Sequence, residues 1–397
     1  MTGVVVVGGG IGGLAAALSL LRAGLDVHVY EQASELSEVG AGVQVSPNAS
    51  RILHRLGLAA ALAASGVKPL AWHQRRWADG RTLLRAPLAE ALEATYGCPH
   101  YQMHRADLLA ALVEAVPPER IHLGHRLEGL TDLGDAVEAR FAGGRTVRAD
   151  VLVGADGIHS TVRQVLFGAD RARFTGCVAY RGVVPAERLA ALGLEVTAQI
   201  WMGPGRHFVH YFISGRRSVN FVAVIERETW TRESWTDRGE VADAVAAYVG
   251  WHPQVREIIG AADETFTWAL FDRPPLPRWS AGRVTLLGDA AHAMLPFMAQ
   301  GAAQAIEDGA TLAACLRQLP PVAALRRYEG VRIPRTARLQ EMSAGNKTRF
   351  HLPDGDAQRE RDDQMAAGSR SWSFNALGWL YEHDAAELSL TADRLRT

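Results

Sequence analysis

The hydrophobic pattern at the start of the chain predicts a strand, a helix and a second strand. The three elements are Val4–Val7, Leu14–Ala23 and Val27–Tyr30. A βαβ unit of this length implies parallel strands that are covered by helices. Two later buried runs of the same type, Val151–Val153 and Val284–Leu287, place distant parts of the chain in a parallel sheet as well.

Between these runs the pattern changes to a strict alternation of apolar and polar residues, which is typical of strands with one wet face. The alternating runs are Ala198–Met202, His207–Phe212 and Val219–Ile225, with a further stretch from about Ala71 to Arg85. We therefore predict an antiparallel sheet that is inserted into the parallel one, so that two domains are interleaved. A long helix is predicted from near Gln300 through Leu316, and the remainder of the chain is predicted to be helical and polar.

Composition narrows the class of protein. The chain has 397 residues, 42 Lys and Arg against 43 Asp and Glu, and 48% hydrophobic residues, which together exclude intrinsic disorder. The lack of a basic excess argues against a nucleic-acid partner. No uninterrupted apolar segment is long enough for a membrane span. Cys98, Cys177 and Cys315 have no metal or disulfide spacing, so we expect free thiols, no metal site and a cytoplasmic location.

The first chemical motif is the glycine run Gly8-Gly9-Gly10-Ile11-Gly12-Gly13, between the first strand and the first helix. In a GxGxxG pattern the first glycine permits a tight turn and the second lets the backbone approach a pyrophosphate. The third allows close packing of helix and strand. Glu31 ends the second strand and can accept hydrogen bonds from ribose hydroxyls. The motif predicts a bound dinucleotide, and the alternative is a glycine-rich turn beside a surface glutamate.

Two further motifs follow buried strands. Asp156-Gly157, in the segment 154–160, is at the end of one strand, where the aspartate alone is equally typical of a helix cap. Gly288-Asp289 follows another strand, where a carboxylate is well placed for a sugar-like polyol. Downstream, Gly301 begins a helix whose free N–H groups can face an anion. His292, considered alone, fits a turn or core residue as well as a catalytic one.

Taken together, these three motifs resemble those of the single-component FAD-dependent aromatic hydroxylases. These are the group A flavin monooxygenases with the para-hydroxybenzoate hydroxylase fold, and the likeness covers essentially residues 1–345. Within the family the chain is most similar to the salicylate hydroxylase, 3-hydroxybenzoate 6-hydroxylase and 6-hydroxynicotinate 3-monooxygenase branch. The segments that carry this similarity are 40–58, 104–108, 180–182, 250–253 and 299–309.

The predicted fold class is therefore α/β, with a Rossmann-like FAD-binding domain interleaved with an antiparallel β-sheet substrate domain and followed by a helical C-terminus. The FAD-binding domain is expected to comprise residues 1–72, 99–174 and 266–345. The substrate domain is expected at 73–98 and 175–265, and the C-terminal helical segment at 346–397. That helical segment could serve a homodimer, which the sequence leaves open.

The resemblance implies tightly bound FAD and a transient NADH or NADPH. It assigns Glu31 to the adenosine ribose, Arg105 to the diphosphate or ribityl region, and Asp289 to the ribityl chain. Asp156-Gly157 is expected to serve both FAD and the nicotinamide cofactor. The residues expected to bind FAD are Gly8, Gly10, Gly12, Gly13, Glu31, Gln32, Val43, Arg105, Asp156, Gly157, Gly288, Asp289, Gln300, Gly301 and Ala302.

The resemblance also implies a reaction. NAD(P)H reduces FAD, O2 adds to give a C4a-hydroperoxide, and the ring of a small phenolic or hydroxylated N-heteroaromatic acid attacks the distal oxygen. The ring must be electron-rich, so its hydroxyl must lose a proton. A phenol has a pKa of about 10, so holding it ionised at pH 7 costs about 4 kcal/mol. A base or a hydrogen-bond network beside the substrate is therefore expected.

The expected base lies on one alternating strand. Its period of two places His207, Val209 and Tyr211 on one face, and we expect His207 to accept the proton while Tyr211 binds the hydroxyl or carboxylate. The alternative is that His210 faces inward instead. Pro296 is expected beside the reacting ring, and Gln44 and Arg181 are expected to contact substrate. One or two tryptophans are expected to line the pocket, while the others pack in the core or the sheet, and the candidates are Trp72, Trp77, Trp201, Trp230, Trp235 and Trp268.

Two positions differ from the named activities. Pro296 stands where 3-hydroxybenzoate 6-hydroxylases are expected to have glutamine, and Gln44 where the 6-hydroxynicotinate enzymes are expected to have histidine. The substrate, the ring position attacked, loss of a carboxyl group and the preference for NADH or NADPH stay open. The alternatives are hydroxylation or epoxidation of a larger secondary metabolite and a non-catalytic FAD-binding sensor or carrier.

Overall fold

The computed structural model describes residues 2–36, 41–169, 172–230, 237–368 and 374–387. The strands in these segments are β1 (Gly3–Val7), β2 (Asp26–Tyr30), β3 (Gly42–Val45), β4 (Ala71–Arg76), β5 (Thr82–Pro87), β6 (Tyr101–His104), β7 (Ile121–His122), β8 (Leu127–Asp132), β9 (Val137–Phe141), β10 (Thr146–Ala149), β11 (Val151–Gly154), β12 (Arg173–Pro185), β13 (Ala198–Gly203), β14 (Arg206–Ile213), β15 (Ser218–Glu226), β16 (Asp237–Gly239), β17 (Thr265–Asp272), β18 (Ser280–Ala281) and β19 (Val284–Leu286).

The α-helices of the same segments occur at intervals along the chain and form one long run after β19. They are α1 (Ile11–Arg22), α2 (Pro47–Arg55), α3 (Ala59–Ser65), α4 (Ala89–Tyr96), α5 (Arg105–Ala115), α6 (Thr161–Phe167), α7 (Val241–Ala246), α8 (Pro253–Gly260), α9 (Asp289–His292), α10 (Gly301–Gln318), α11 (Pro321–Phe350), α12 (Asp356–Ala366) and α13 (Gly378–Tyr381).

One sheet unites the predicted parallel strands from the start, middle and end of the chain. Its order is β18-β19-β11-β1-β2-β7, and all pairs are parallel except β18 with β19. The four residues Val4–Val7 are all buried, as expected for a strand that is covered on both faces. Helix α1 packs closely on α10, where a Cβ on Gly309 would be 2.6 Å from the Ala16 Cα atom. The predicted α/β fold class is confirmed.

The second sheet has eight strands in the order β16-β17-β12-β15-β14-β13-β4-β5. All but one of its pairs are antiparallel, and the exception is β13 with β4, which run parallel in the register Trp201 to Arg75. The predicted antiparallel sheet thus contains one parallel pair. Strands β4 and β13 are separated in the sequence by more than a hundred residues, many of which belong to the parallel sheet and its helices. Because no hairpin joins the two strands, they are free to run parallel.

The bounds of this sheet also differ from those predicted. Strand β17 pairs with β12 and extends the sheet to Asp272, although residues from 266 onward were expected in the other domain. Strands β4 and β12 begin at Ala71 and Arg173, each two residues before the expected boundary. Helix α11 is continuous across the expected boundary at 345. Alternation in the sequence marks strands, but it does not show which sheet a boundary strand joins.

A two-stranded ribbon of β3 and β6, which the sequence analysis did not predict, positions two of the predicted site residues. Gln44 pairs with Gln102 across it, and the backbone N–H of Arg105 donates to the Ala41 carbonyl at 2.8 Å. A separate three-stranded sheet is formed by β10, β9 and β8. The ribbon therefore brings the segment after residue 40 next to the start of α5.

At the C-terminal end, α11 is followed by α12 and α13. Residues 369–373 and 388–397 of the predicted helical segment lie outside the described residues. Among the helices that the structure describes, none combines the length and the apolar composition that crossing a membrane requires.

Candidate active site

A cavity of about 730 Å³ lies between the loops at the carboxyl end of the parallel sheet and one face of the eight-stranded sheet. The predicted site residues that line it are Gly10, Gly12, Gln32, Val43, Gln44, Arg105, Asp156, Gly157, Arg181, His207, Tyr211, Gly288, Asp289, Pro296, Gly301 and Ala302. Gly8, Gly13, Glu31 and Gln300 are not among the residues that line it. Segments that are distant in the sequence thus meet in one concave site.

The glycine run after β1 contains positions that have no room for a side chain and one position that faces open space. Gly8 has a φ of +110°, and a Cβ there would be 2.3 Å from the Ala155 carbonyl oxygen. A Cβ on Gly13 would be 2.0 Å from the Gly8 carbonyl oxygen. Neither position accepts a side chain. At Gly10, by contrast, a Cβ would meet nothing within 4 Å, because this residue faces the cavity.

The residues of this loop fit a dinucleotide pyrophosphate. The first backbone hydrogen bond within α1 runs from the Leu14 N–H to the Gly10 carbonyl at 2.9 Å, so the preceding N–H groups are not used inside the helix. Ile11 and Gly12 line the cavity at this helix start. Open space over Gly10 beside N–H groups at a helix N-terminus is what a phosphate requires. The loop therefore supports FAD binding.

Glu31 holds the glycine loop in place and is not among the residues that line the cavity. Its carboxylate accepts from the Gly9 N–H at 2.6 Å and from the Ala33 N–H at 2.8 Å. Its neighbour Gln32 is the residue that lines the cavity. The contact of Glu31 with a ribose stays a prediction. Such a contact would use the lone pairs of the carboxylate that these two hydrogen bonds leave available.

Asp156 has the capping role that its sequence context allowed. Its carboxylate accepts from the Ser160 hydroxyl, from the Thr161 N–H at 2.8 Å and from the Val162 N–H at 3.1 Å at the start of α6. Burial raises the pKa of Asp156, although these hydrogen bonds act in the opposite direction. Asp156 and Gly157 also line the cavity, so capping and cofactor contact are compatible.

The third motif contributes the loop between β19 and α10. Asp289, Pro296, Gly301 and Ala302 line the cavity at this loop. Gln300 is not among the residues that line the cavity; its side chain is buried, and its amide donates to the Ser46 hydroxyl at 2.9 Å. A contact of Gln300 with FAD stays a prediction. A cap position fixes the backbone of a residue, but not the direction of its side chain.

A buried ionic network stands behind this loop. Arg332 of α11 is fully buried and pairs with Glu307 at 2.5 Å and with Asp308 at 2.7 Å, both on α10. His292 bonds to Asp308 at 2.6 Å, which makes it a core residue. Although burial alone would raise the pKa of Glu307, Arg332 and Arg335 lower it to about 2. The network fixes the helix whose first turn lines the cavity.

The opposite wall is the face of β14 that the alternation predicted. His207, Val209 and Tyr211 line the cavity, whereas Phe208 packs in the core on the other side of the sheet. His210 is buried away from the cavity. The predicted face is therefore the observed one.

His207 is held in an aromatic setting. Its ring centre is 4.8 Å from that of Phe297 and 5.2 Å from that of Phe350, with both pairs nearly edge to face. Its Nδ1 atom is 2.7 Å from Nε2 of His351. Burial lowers the pKa of His207 well below the usual value, and His351 lowers it further. The imidazole is consequently neutral near pH 7 and can accept a proton.

Three other polar side chains share this wall. The Tyr211 ring packs against Gly42, where a Cβ would be 2.5 Å from the phenolic oxygen, and burial raises the pKa of Tyr211. The Arg181 guanidinium lies 5.0 Å from the centre of the Trp268 ring. The Gln44 carbonyl oxygen is 3.2 Å from Nε2 of His100. A neutral base, a hydroxyl donor, a cation and an amide therefore face an otherwise apolar space.

Sequence reasoning missed part of this wall. Trp72, Trp268, Phe297 and Phe350 line the cavity, and His351 lies directly behind His207. Trp72 and Trp268 are two of the six tryptophans that the sequence analysis named as candidates, whereas Phe297 and Phe350 were not named. Of the other candidates, Trp235 lies outside the described residues. Phe350 and His351 lie at the end of a long polar helix, where no local motif marks them. Phe350 and His351 reach the cavity wall only because α11 ends beside it.

The comparisons with known proteins agree with this geometry. A family model described as an FAD binding domain matches residues 1–343. The chain is 45% identical over 385 residues to PtmB3, a 3-amino-4-hydroxybenzoate 2-monooxygenase of Streptomyces platensis, with 96% of each chain covered. It is 40% identical over 349 residues to a 6-hydroxynicotinate 3-monooxygenase of Pseudomonas fluorescens, covering 86% of this chain and 90% of that one.

The fold is also shared with solved structures. HpxO of Klebsiella pneumoniae, in complex with FAD and uric acid, superposes with a TM-score of 0.83 at 27% identity. That likeness covers 95% of this chain and 94% of the other. Salicylate hydroxylase and 3-hydroxybenzoate 6-hydroxylase are among the similar proteins too. Salicylate hydroxylase, 3-hydroxybenzoate 6-hydroxylase and 6-hydroxynicotinate 3-monooxygenase are the activities of the predicted branch. The sequence analysis did not predict a similarity to 3-amino-4-hydroxybenzoate 2-monooxygenase.

Proposed function

Because this chain belongs to the FAD-binding family and is an FAD-dependent aromatic monooxygenase, we propose that it hydroxylates a small aromatic acid that carries a ring hydroxyl. NADH or NADPH and O2 are the proposed co-substrates. Bound FAD, reduced by the nicotinamide cofactor, would supply the activated oxygen atom. The observation that carries the proposal is that one cavity joins the glycine loop of β1 to the wall bearing His207 and Arg181.

The cofactor side of the cavity consists of backbone more than of side chains. Gly10 leaves open space that we assign to the pyrophosphate, and we assign Asp289, which also lines the cavity, to the ribityl chain. We assign Gly301 and Ala302, which line the cavity at the start of α10, to the flavin ring. The N-terminus of this 18-residue helix would favour negative charge on the reduced ring, by about 0.3–1 kcal/mol and more when buried.

On the substrate side, we assign the ring hydroxyl to His207. This imidazole is neutral and its Nδ1 is engaged by His351, so Nε2 is the nitrogen left to accept the phenol proton. Removing that proton makes the ring electron-rich. Phe297 and Phe350 pack against the His207 ring and cover it with apolar surface, which favours the exclusion of water that the proposed reaction requires.

We assign the carboxylate of the substrate to Arg181, with Tyr211 as a second donor. The guanidinium of Arg181 stacks on Trp268, so a planar cation faces the cavity. Burial keeps the Tyr211 hydroxyl protonated and able to donate. Gln44 is then available for a further polar ring substituent. This set of groups fits a compact acid such as 3-amino-4-hydroxybenzoate, the substrate in the name of a relative at 45% identity.

The proposal is tested by turnover with a small panel. FAD-loaded protein is mixed with NADH or NADPH and with 3-amino-4-hydroxybenzoate, salicylate, 3-hydroxybenzoate or 6-hydroxynicotinate, and product and H2O2 are quantified together. We expect at least one acid to accelerate NAD(P)H oxidation and to appear as its hydroxylated product. The variant His207→Gln should lower that turnover by about a hundredfold or more. If no acid is hydroxylated, the proposed substrate class is wrong.

A further inference from the structure

Three side chains form a continuous path from the cavity to the surface. His207 Nδ1 is 2.7 Å from His351 Nε2, and His351 Nδ1 is 2.9 Å from the Glu226 carboxylate. Both imidazoles are about 2% exposed, while the Glu226 side chain is 44% exposed. The path therefore begins at a wall of the cavity and ends in water.

We propose that His351 and Glu226 conduct the phenol proton from His207 to solvent, which makes them positioning residues for the ionisation of the substrate. This inference rests on the function proposed above. It adds a route by which the proton leaves a buried imidazole for solvent. Neither residue belongs to the motifs by which the sequence resembles its family.

The hydrogen-bond pattern fixes the direction of the relay. An ionised Glu226 can only accept, so His351 donates from Nδ1 and accepts at Nε2. His207 must then donate from Nδ1 to His351, which leaves its Nε2 as an acceptor. Among the described residues, no hydrogen bond to this Nε2 atom is found. The chain of bonds therefore requires the tautomer in which Nε2 of His207, a residue that lines the cavity, carries no proton.

Each step conserves protons. The phenol O–H bond breaks and its proton binds His207 Nε2, while the Nδ1 proton of His207 passes to His351 Nε2. The Nδ1 proton of His351 then passes to Glu226, which releases it to water. The cavity is left with a phenolate and a neutral His207. Rotation of the rings or the reverse transfers restore the starting tautomers.

The electrostatics explain why a relay is needed. Burial lowers the pKa of both His207 and His351, so an imidazolium ion is unstable at either position. Glu226 acts in the opposite direction on His351, whereas Lys347 and Arg206 lower its pKa further. A proton accepted from the substrate cannot remain inside and is driven towards the exposed carboxylate.

Backbone contacts hold the three elements of the path in register. The N–H of Gly205, in the turn before β14, donates to the His351 carbonyl at 3.0 Å. The Glu226 N–H, at the end of β15, donates to the Gly205 carbonyl at 2.9 Å. The backbones of His351 and Glu226 are therefore both held by Gly205, independently of their side chains. A substitution at exposed Glu226 should leave this arrangement intact.

The test measures the proton that is released to solvent when the substrate binds to the protein. Oxidised, FAD-loaded protein is mixed with 3-amino-4-hydroxybenzoate in weakly buffered solution in a stopped-flow instrument. A pH indicator reports the released proton, and phenolate absorbance reports the bound ring. Wild type is compared with Glu226→Gln, Glu226→Asp and His351→Gln, and with Glu114→Gln as a control at an exposed carboxylate on α5.

We expect Glu226→Gln and His351→Gln to slow proton release at least about tenfold, since each interrupts a proton-transfer step. The binding constant should change little, Glu226→Asp should restore most of the rate, and Glu114→Gln should match wild type. Release at the wild-type rate in folded Glu226→Gln would overturn the relay while leaving the proposed function intact. If wild type binds the acid without releasing a proton, the assignment of His207 fails and the relay with it.

Discussion

At the scale of single residues, the site depends on glycines, which have no side chain, as much as on residues with functional side chains. Gly13 has no room for a Cβ, because the Gly8 carbonyl oxygen would be 2.0 Å away, whereas Gly10 faces open space in the cavity. The same residue type thus serves packing at one position and cofactor access three residues earlier. This distinction gives a test of the cofactor site that does not depend on turnover.

We predict that Gly10→Val gives a folded protein that binds FAD at least about tenfold more weakly, because the added side chain fills the space proposed for the pyrophosphate. Flavin binding by fluorescence titration, with circular dichroism for the fold, measures both properties. The control is Gly330→Ala, a helical glycine that also faces open space but lies far from the cavity lining. Normal FAD affinity in Gly10→Val would contradict the placement of the cofactor.

How much of the site the sequence predicts depends on whether a local rule fixes the side chain. The period of β14 places His207 and Tyr211 on one face, and the structure agrees. The direction of the Gln300 side chain was not predicted, because a residue before a helix can turn its side chain either way. His351 was missed because its contact with His207 joins positions 144 residues apart, which no local pattern encodes.

At the scale of elements, α10 connects the cavity to the core. Its first turn lines the site, and one helical turn further on Glu307 and Asp308 meet Arg332 of α11 inside the protein. Neither carboxylate is exposed, so their charge is balanced almost entirely by arginines and hydrogen bonds. The position of the helix that faces the flavin therefore depends on an ionic cluster away from it.

Removing Arg332 should accordingly destabilise the fold. Arg332→Met leaves two buried carboxylates without their main partner, and we predict a loss of about 3–5 kcal/mol in the free energy of unfolding. Urea unfolding measures this loss. The matched control is Lys68→Met, which removes one member of an exposed pair with Glu93 and should cost at most about 1 kcal/mol. Equal stabilities of the two variants would show that the cluster contributes no more than a surface pair.

The elements themselves were predicted unevenly. Strands β1, β11 and β19 were found because continuous apolar runs are typical of strands buried on both faces. The parallel pairing of β4 with β13 was not found, because pairing partners are set by long-range packing and not by the residues of either strand. The assignment of β17 failed for the same reason.

At the scale of the whole molecule, interleaving of the two sheets buries several histidines in neutral form. His100 and His210 are both fully buried, and burial lowers their pKa to about 4 and about 3. An unfolded chain protonates these groups below about pH 6.5, whereas the folded protein does not until the pH is much lower. Their stabilising contribution is therefore complete above pH 6.5 and is lost as the pH falls.

We predict that the free energy of unfolding decreases between about pH 6.5 and pH 4, by up to about 1.4 kcal/mol per pH unit for each such histidine. Urea titrations at a series of pH values measure the slope. His210→Gln should reduce the slope by about one histidine's share. A flat profile over this range would contradict the buried, neutral state of these side chains.

The central claim is that oxygen activated on the flavin reaches a substrate held by His207 and Arg181 in one cavity. It is tested most directly with 18O2. FAD-loaded protein is supplied with NADH or NADPH and 3-amino-4-hydroxybenzoate or another acid of the panel, and the product is analysed by mass spectrometry. The account predicts that one oxygen atom of the product derives from O2 and none of the new oxygen from water. A product whose new oxygen derives from water, or consumption of O2 that yields only H2O2 with every acid, would contradict it.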